Sequence, residues 1–298
     1  MIGCDPVKFS IVTPTLNAEA YFGDCLRSVR DQDYPRSQVE HIVLDGRSTD
    51  RTVEMAREAG AQIHVAQDGS LYEALNKGIA LARGEWIVWL NADDTLKPDA
   101  LGRVAEASER RPKAELVLGD HELLRDGRVE VIRSPQGALD RIRSGRRGRA
   151  WVIPLVAIYR SRTLRDLGAY TTRYRVVGDL DMWLRTAARS PALDVVQLDR
   201  VLGSFRSHSG SLSLGGKATE SILRETIDLS ARWAADDQVP AGVRRFARFL
   251  LRRNAYELRS REMQGRPAWR RKAETLLLWA RWSRMGPGAL GDFFTNFY

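Results

Sequence analysis

Short apolar runs that end in polar turns alternate with helical stripes through residues 9–94. Phe9 to Thr13 reads as a strand, stopped by Pro14. Residues 18–30 then place Phe22, Leu26 and Val29 on one stripe, with Tyr21 and Cys25 beside it, and this is helical spacing that makes Cys25 a core residue. Val39 to Leu44 is a second strand, with Asp45-Gly46 at its carboxyl end. A helix over residues 50–59 follows, with Ser48 or Thr49 placed to cap it, and Gly60 closes it before a third short strand, Ile63 to Ala66. Ser70 and Glu73 have the form of a capping box, opening a helix with Leu71, Ala74, Leu75, Ile79 and Ala82 along one face. Trp86 to Leu90 is unbroken apolar sequence, rich in aromatic and β-branched residues. It reads as a strand buried on both faces, ended by the polar cluster Asn91-Ala92-Asp93-Asp94. Strand and helix in strict alternation predict the α/β class, a Rossmann-like, mainly parallel sheet flanked by helices.

The pattern changes after a helix at about 98–110. Leu116 to Gly119, Glu122 to Leu124 and Val129 to Ile132 read as strands, the last two joined by a hairpin turn across Asp126-Gly127. This half is mixed α+β. Residues 174–189 carry a helix with Met182 and Trp183 inward, and Val201 to Phe205 leads into a small-residue loop, Arg206 to Ser213, that contains His208. From about Gly215 the chain turns helical and basic. Phe246, Phe249, Leu250, Leu251 and Tyr256 are interleaved with arginines, and Trp269, Leu276 to Trp279 and Trp282 repeat the theme. Such helices either lie on an anionic membrane surface or pack on the main domain with their arginines outward. The division expected is a domain over 1–215 and a basic helical extension over 216–298.

Composition narrows the class. The 298 residues are 43% hydrophobic and 29% charged, as in ordinary globular proteins. No apolar run approaches the roughly 18 residues of a membrane span, and no basic-then-apolar leader precedes the first strand, so a cytoplasmic location is expected. The two cysteines, Cys4 and Cys25, imply no disulfide framework. Of the net +9, an excess of +7 falls between Lys217 and Tyr298, where 16 Lys and Arg face 9 Asp and Glu. Arg141, Arg143, Arg146, Arg147 and Arg149 form a second basic cluster, and patches of this kind attract phosphates. GxxxxGK[ST] does not occur, and no GxGxxG lies in the alternating strand–helix half (the one match, Gly286 to Gly291, is near the C-terminus and follows no strand), which argues against a P-loop kinase, an NTPase or a dehydrogenase.

Ligands of open α/β sheets bind beyond the carboxyl ends of the strands. Asn91, Asp93 and Asp94 stand at such an end, and hard oxygen donors there suit a divalent cation that also grips a diphosphate. A plain turn that caps the next helix is the alternative. The wider set of motifs resembles the inverting glycosyltransferases of family 2, which have the GT-A fold. Four pieces carry the resemblance over about residues 8–213. They are Ser10 to Asn17, Val43 to Asp50, Tyr72 to Gly78 leading to Leu90 to Asp94, and Asp179 to Arg185. The segment after residue 215 carries no signature of that family.

The resemblance implies a nucleotide-sugar donor bound by Thr13, Pro14, Thr15, Asn17, Asp45, Asp68, Asn76, Lys77, Asn91, Ala92 and Asp93. Asp45 would accept from the N3–H of uracil, making UDP the expected nucleotide, with GDP or dTDP as alternatives. Asp93 would ligate Mn²⁺ or Mg²⁺ with His208 as a second ligand, and Asp179 would be the general base. Asp181, two residues on along a helix, is expected to be structural. The sequence departs from the family's DxD motif at Asn91, which brings no charge. It also has Val156-Ala157 where a His-Gln pair is common. The implied acceptor is a glycan or lipid-linked glycan, with peripheral membrane contact through the basic helices and no nucleic-acid partner. The competing reading is a GT-A-like binding module that has lost catalysis. Asn91 is the feature that favours it, and the joint presence of Asp45, Asp93, Asp179 and His208 opposes it. A nucleotidyltransferase would need a Gly-rich, basic N-terminal loop that this chain lacks.

Overall fold

The structure is a computed structural model and describes residues 8–148, 150, 152–189, 192–211 and 216–264. The first half runs β1 (Phe9–Thr15), α1 (Glu19–Arg30), β2 (Val39–Asp45), α2 (Thr52–Glu58), β3 (Gln62–Val65), α3 (Leu71–Leu81), β4 (Trp86–Trp89), β5 (Thr95–Leu96) and α4 (Ala100–Arg110). The second runs β6 (Leu116–Arg125), β7 (Arg128–Ile132), α5 (Ala138–Arg143), β8 (Ala157–Arg160), α6 (Ser161–Asp166), α7 (Gly178–Arg189), β9 (Val195–Ser207), α8 (Gly216–Ala235) and α9 (Ala241–Glu262). One sheet holds the strands in the order β3-β2-β1-β4-β8-β6-β9-β5, with β7 paired to β6.

β1, β2, β3 and β4 are mutually parallel, as the alternation predicts. β1 lies between β2 and β4, and every one of its residues is buried, so only an apolar or internally hydrogen-bonded strand survives there. Pro14 is tolerated because the carbonyls of Lys8 and Val12 accept from the β4 side, and Pro14 has the same parity. The pairing with β4 ends at Val12, so the missing N–H of Pro14 removes no ladder bond. Beyond β4 the sheet is mixed. β8 is antiparallel to both β4 and β6, whereas β6 and β9 are parallel.

Three local expectations are revised. α2 is not capped by Ser48 or Thr49. The Asp50 carboxylate accepts from Thr52 N–H at 3.0 Å and Glu19 N–H at 3.1 Å, while the Ser48 hydroxyl is drawn to Asp45. Leu116–Gly119 and Glu122–Leu124 are one strand with a bulge at Gly119, where a Cβ would stand 2.4 Å from Leu202. β5 and β8 are strands of two and four residues, too short to leave a period in the sequence. The capping box at Ser70 holds in part: Ser70 Oγ accepts from Glu73 N–H, but Glu73 reaches back to the N–H of Gly69.

The described part of the basic extension packs on the main domain. Val243 and Phe246 of α9 and Leu229 of α8 join the same hydrophobic core as the sheet. Asp181 ties α7 to α8, accepting from the Trp233 indole at 2.9 Å while also accepting from Arg185 on its own helix. The start of α9 lies against the end of α5, so close that a Cβ on Gly242 would fall 1.6 Å from the Arg143 carbonyl oxygen. Among the described residues no helix is long and apolar enough to cross a membrane. Arg149 and the aromatic segment from Trp269 to Tyr298 lie outside the described residues.

Candidate active site

A cleft of about 1490 Å³ opens where β1 and β4 run out, and Asp93, Asp179 and His208 all line it. Each arrives for a separate reason. Asp93 is in the turn that follows β4. β5 leaves that turn at once and pairs antiparallel with β9, Thr95 opposite Ser204, and this carries the far end of β9 back to it. His208 therefore meets a residue 115 positions away, with Nε2 3.0 Å from Asp93 Oδ2. Arg206 locks the junction: its backbone N–H donates to Asp94 Oδ1 at 3.0 Å, and its guanidinium donates to the Asp93 carbonyl and to Asp24. That guanidinium also sits 4.8 Å over the Tyr21 ring, whose other neighbour is the His208 ring at 4.6 Å.

Asp93 and Asp94 have different surroundings and different work. The Asp93 side chain is 28% exposed to the cleft. Asp94 is completely buried, and burial together with the Asp93 charge pushes its carboxyl up to about 8. Asn91 is spent on this arrangement. Its oxygen accepts from the Trp89 indole at 2.7 Å, and its amide donates to Asp94 Oδ2 at 3.0 Å. An aspartate could not donate to Asp94 and would bring a second carboxylate against it. Asn91→Asp is therefore expected to lower stability by about 1–3 kcal/mol rather than tighten cation binding, as a thermal melt with and without Mn²⁺ would read out.

Asp179 occupies the first turn of α7. Its Oδ1 accepts from Leu180 N–H at 2.9 Å and lies 3.3 Å from the Tyr72 hydroxyl. Burial lifts its carboxyl to about 7, against the opposing pull of those hydrogen bonds. Tyr72 stacks on Tyr170 at 6.0 Å, and both rings pack edge-on against Trp89, so an aromatic block spans the floor from Asp179 to Asn91. Gly178 has to be glycine, because a Cβ would stand 2.8 Å from the Tyr72 ring.

The other expected donor-site residues divide. Pro14, Thr15, Asn17, Asp68, Asn91 and Ala92 line the cleft with Asp93. Asp45 is fully buried just below it. Its carboxylate accepts from Ser48 N–H at 2.8 Å, Ser48 Oγ and Thr15 Oγ1 at 3.0 Å, so base recognition there needs one of those hydroxyls to turn away. Thr13 points away from the cleft, its hydroxyl 2.9 Å from Nε2 of His41, a buried ring held neutral down to about 4. Asn76 is a clamp rather than a rim, exchanging two 2.8 Å hydrogen bonds with the Tyr170 backbone. Lys77 pairs with Asp68 and Glu73 and faces a separate shallow depression beside Val65 and Leu81. Sequence reasoning passed over Tyr21, Arg206, Trp89 and Tyr72. The shared parity of Trp89 and Asn91, two residues apart, was the one signal that could have found Trp89.

Among the described residues no group of three or more His, Cys, Asp or Glu is placed to hold a metal. The Asp93–His208 pair nonetheless fits a cation that completes its shell with diphosphate oxygens and water. The two side chains would offer such an ion one carboxylate oxygen and one imidazole nitrogen, atoms that stand 3.0 Å apart.

Carboxylates around an aromatic floor, at the carboxyl ends of a half-parallel sheet, mark the ligand cleft of an α/β protein, and its fold is that of the GT-A glycosyltransferases. The chain belongs to glycosyl transferase family 2. The family's model matches residues 10–120. The PGL/p-HBAD biosynthesis glycosyltransferase of Mycobacterium bovis is 33% identical over 215 residues, 68% of this chain and 78% of that one. S. aureus TarS 1-349 in complex with UDP-GlcNAc superposes with a TM-score of 0.62 at 20% identity, over 87% of this chain and 73% of that one. A longer TarS chain is spanned to 44% of its length. The mannosyltransferase PcManGT of Pyrobaculum calidifontis, in complex with GDP-Man and Mn2+, gives 0.61 at 16% identity over 96% of this chain and 84% of that one. The two structures share the fold, and the Mycobacterium relative shows the family.

Proposed function

We propose that the protein is an inverting glycosyltransferase that moves a sugar from a UDP donor to a hydroxyl of a glycan or lipid-linked glycan. The observation that carries this reading is the opening of Asp179 and the Asp93–His208 pair into one cleft. Asp179 takes the proton of the acceptor hydroxyl as its oxygen attacks the anomeric carbon. The bond from that carbon to the diphosphate breaks on the opposite face, and the nucleoside diphosphate leaves. Attack and departure on opposite faces invert the anomeric configuration. Asp93 and His208 would hold Mn²⁺ or Mg²⁺, which when bound supplies charge neutralisation for the departing diphosphate. Pro14, Thr15, Asn17 and Asp68 border the space for the nucleoside, and Arg206 and Asp94 keep the Asp93 turn in place.

The UDP assignment draws on Asp45 and on the UDP-GlcNAc complex of the TarS neighbour. Outward arginines on α9 complement an anionic lipid surface, which supports a peripheral position on a membrane face. Product formation from a panel of nucleotide-sugars with and without Mn²⁺, with the anomer read by NMR, tests the central reading. A retained anomeric configuration, or donor turnover that Asp179→Asn leaves intact, sinks it.

The pH profile follows from the base. Asp179 must be ionised, and its folded carboxyl titrates near 7, so kcat/KM is expected to rise with pH through about 7 and level off above it. Tyr72→Phe removes a hydroxyl that favours the carboxylate and should move that rise to higher pH. Rates across pH 5.5–9 for both proteins would show it.

A further inference from the structure

The segment that leads into α7 has no regular structure of its own. Residues 171–177 belong to no helix or strand, yet Arg175, Val176, Val177, Asp179 and Leu180 all line the cleft. Backbone N–H groups in such a stretch need acceptors from elsewhere in the chain. α8 supplies them. The half-buried Glu225 carboxylate accepts from Arg175 N–H at 3.1 Å and from Val176 N–H at 2.9 Å. To either side of that contact, the Tyr174 hydroxyl donates to Asp228 Oδ2 at 2.8 Å, and the Trp233 indole donates to Asp181 Oδ1 at 2.9 Å.

Glu225, Asp228, Leu229 and Trp233 follow one another at i, i+3, i+4 and i+8, so one face of α8 makes all three contacts. Buried Leu229 joins that face to the hydrophobic core. The contacts bracket Asp179, with Tyr174, Arg175 and Val176 before it and Asp181 after it. From the opposite side Tyr72 of α3 places its hydroxyl 3.3 Å from Asp179 Oδ1. The main domain thus touches the carboxylate itself, while α8 holds the backbone that presents it. A general base acts only within hydrogen-bond reach of the proton it takes, and a displacement of about 1 Å can cost about a hundredfold in rate.

We propose, resting on the transferase reading above, that α8 is a positioning element of the active site, in which Glu225 and Trp233 act through residues 174–181 to hold Asp179 against the acceptor hydroxyl. Neither side chain touches the reacting atoms. Packing alone would need only the apolar residues of this face. A carboxylate that accepts from two consecutive backbone N–H groups fixes the direction of the chain as well as its place.

The test uses the full chain. Glu225→Ala is expected to lower kcat about ten- to a hundredfold, with UDP affinity by isothermal titration unchanged. Glu225→Gln, whose amide oxygen still accepts, should recover most of that loss. A loosened α7 start also admits water to the Asp179 carboxyl, so in Glu225→Ala the rise of kcat/KM should move to lower pH. Trp233→Phe keeps the ring and removes only the indole N–H. It should lower kcat about threefold, a smaller effect because Arg185 still holds Asp181, and it serves as the second variant should Glu225→Ala fold poorly. In an Asp179→Asn background Glu225→Ala should cost no further kcat, because its effect passes through the carboxylate. Variants that melt at lower temperature yet keep the wild-type kcat and pH profile overturn the proposal, leaving α8 a packing element only. An equal fold-loss with and without the Asp179 carboxylate overturns it too. Wild-type protein that consumes no nucleotide-sugar, or Asp179→Asn of undiminished rate, fails differently, since it removes the transferase reading and the positioning proposal with it.

Discussion

Asp179→Asn is expected to lower kcat by about two to four orders of magnitude while the nucleotide-sugar still binds. The substitution keeps shape and hydrogen bonding: an amide oxygen still accepts from Leu180 N–H and faces the Tyr72 hydroxyl. Only the ability to accept a proton is lost. Because the base acts on the acceptor in the transition state, the loss should fall on kcat and leave donor affinity intact, as isothermal titration with the donor would verify.

The same variant should be more stable than the wild type above neutral pH. The folded carboxyl binds its proton up to about 7, well above the unfolded value, so its favourable contribution is complete below the unfolded pKa and disappears as pH rises through 7. An amide has no charge to bury. The melting temperature of Asp179→Asn should exceed that of the wild type at pH 8 and the difference should shrink at pH 5. A buried group that costs stability and supplies rate is what an active site, rather than a structural cap, looks like. A wild-type melting temperature that does not change relative to the variant between those pH values would count against the assignment.

Asp93→Ala is expected to remove metal-stimulated transfer, with a loss of at least about a hundredfold at saturating Mn²⁺. Asp93 presents the exposed carboxylate of the turn, whereas the neighbouring Asp94 is sealed in and held by Asn91 and the Arg206 backbone. His208→Ala should raise the Mn²⁺ concentration needed for half-activity and spare much of the maximal rate, since water can fill one coordination position. If Asp93→Ala transfers sugar at wild-type rates with Mn²⁺ present, the cation is held elsewhere or is not needed.

Much of this molecule was legible beforehand for simple reasons. β1, β2, β4, α1 and α3 are set by local hydrophobic period, and a parallel sheet follows once strands alternate with helices. That Asp93 and Asp179 line the cleft was readable because their motifs lie at strand and helix ends. The protein partners of the Thr13 hydroxyl, the Asn76 carboxamide and the Lys77 amine were not legible, because they lie 28, 94 and 9 residues away, and no pattern encodes those distances. Asn91 looked like a weakened ligand and is instead the hydrogen-bond donor that a buried Asp94 requires.

What the amino-acid sequence alone determined is the order of elements, the family and the chemistry of single residues, all of which follow from near neighbours and side-chain type. The pairing of β5 with β9, the closure of Asp94 against Arg206 and the placing of α9 as a cleft wall were decided in the tertiary structure. Each joins segments about a hundred residues apart, through contacts that exist only when the core has closed around them.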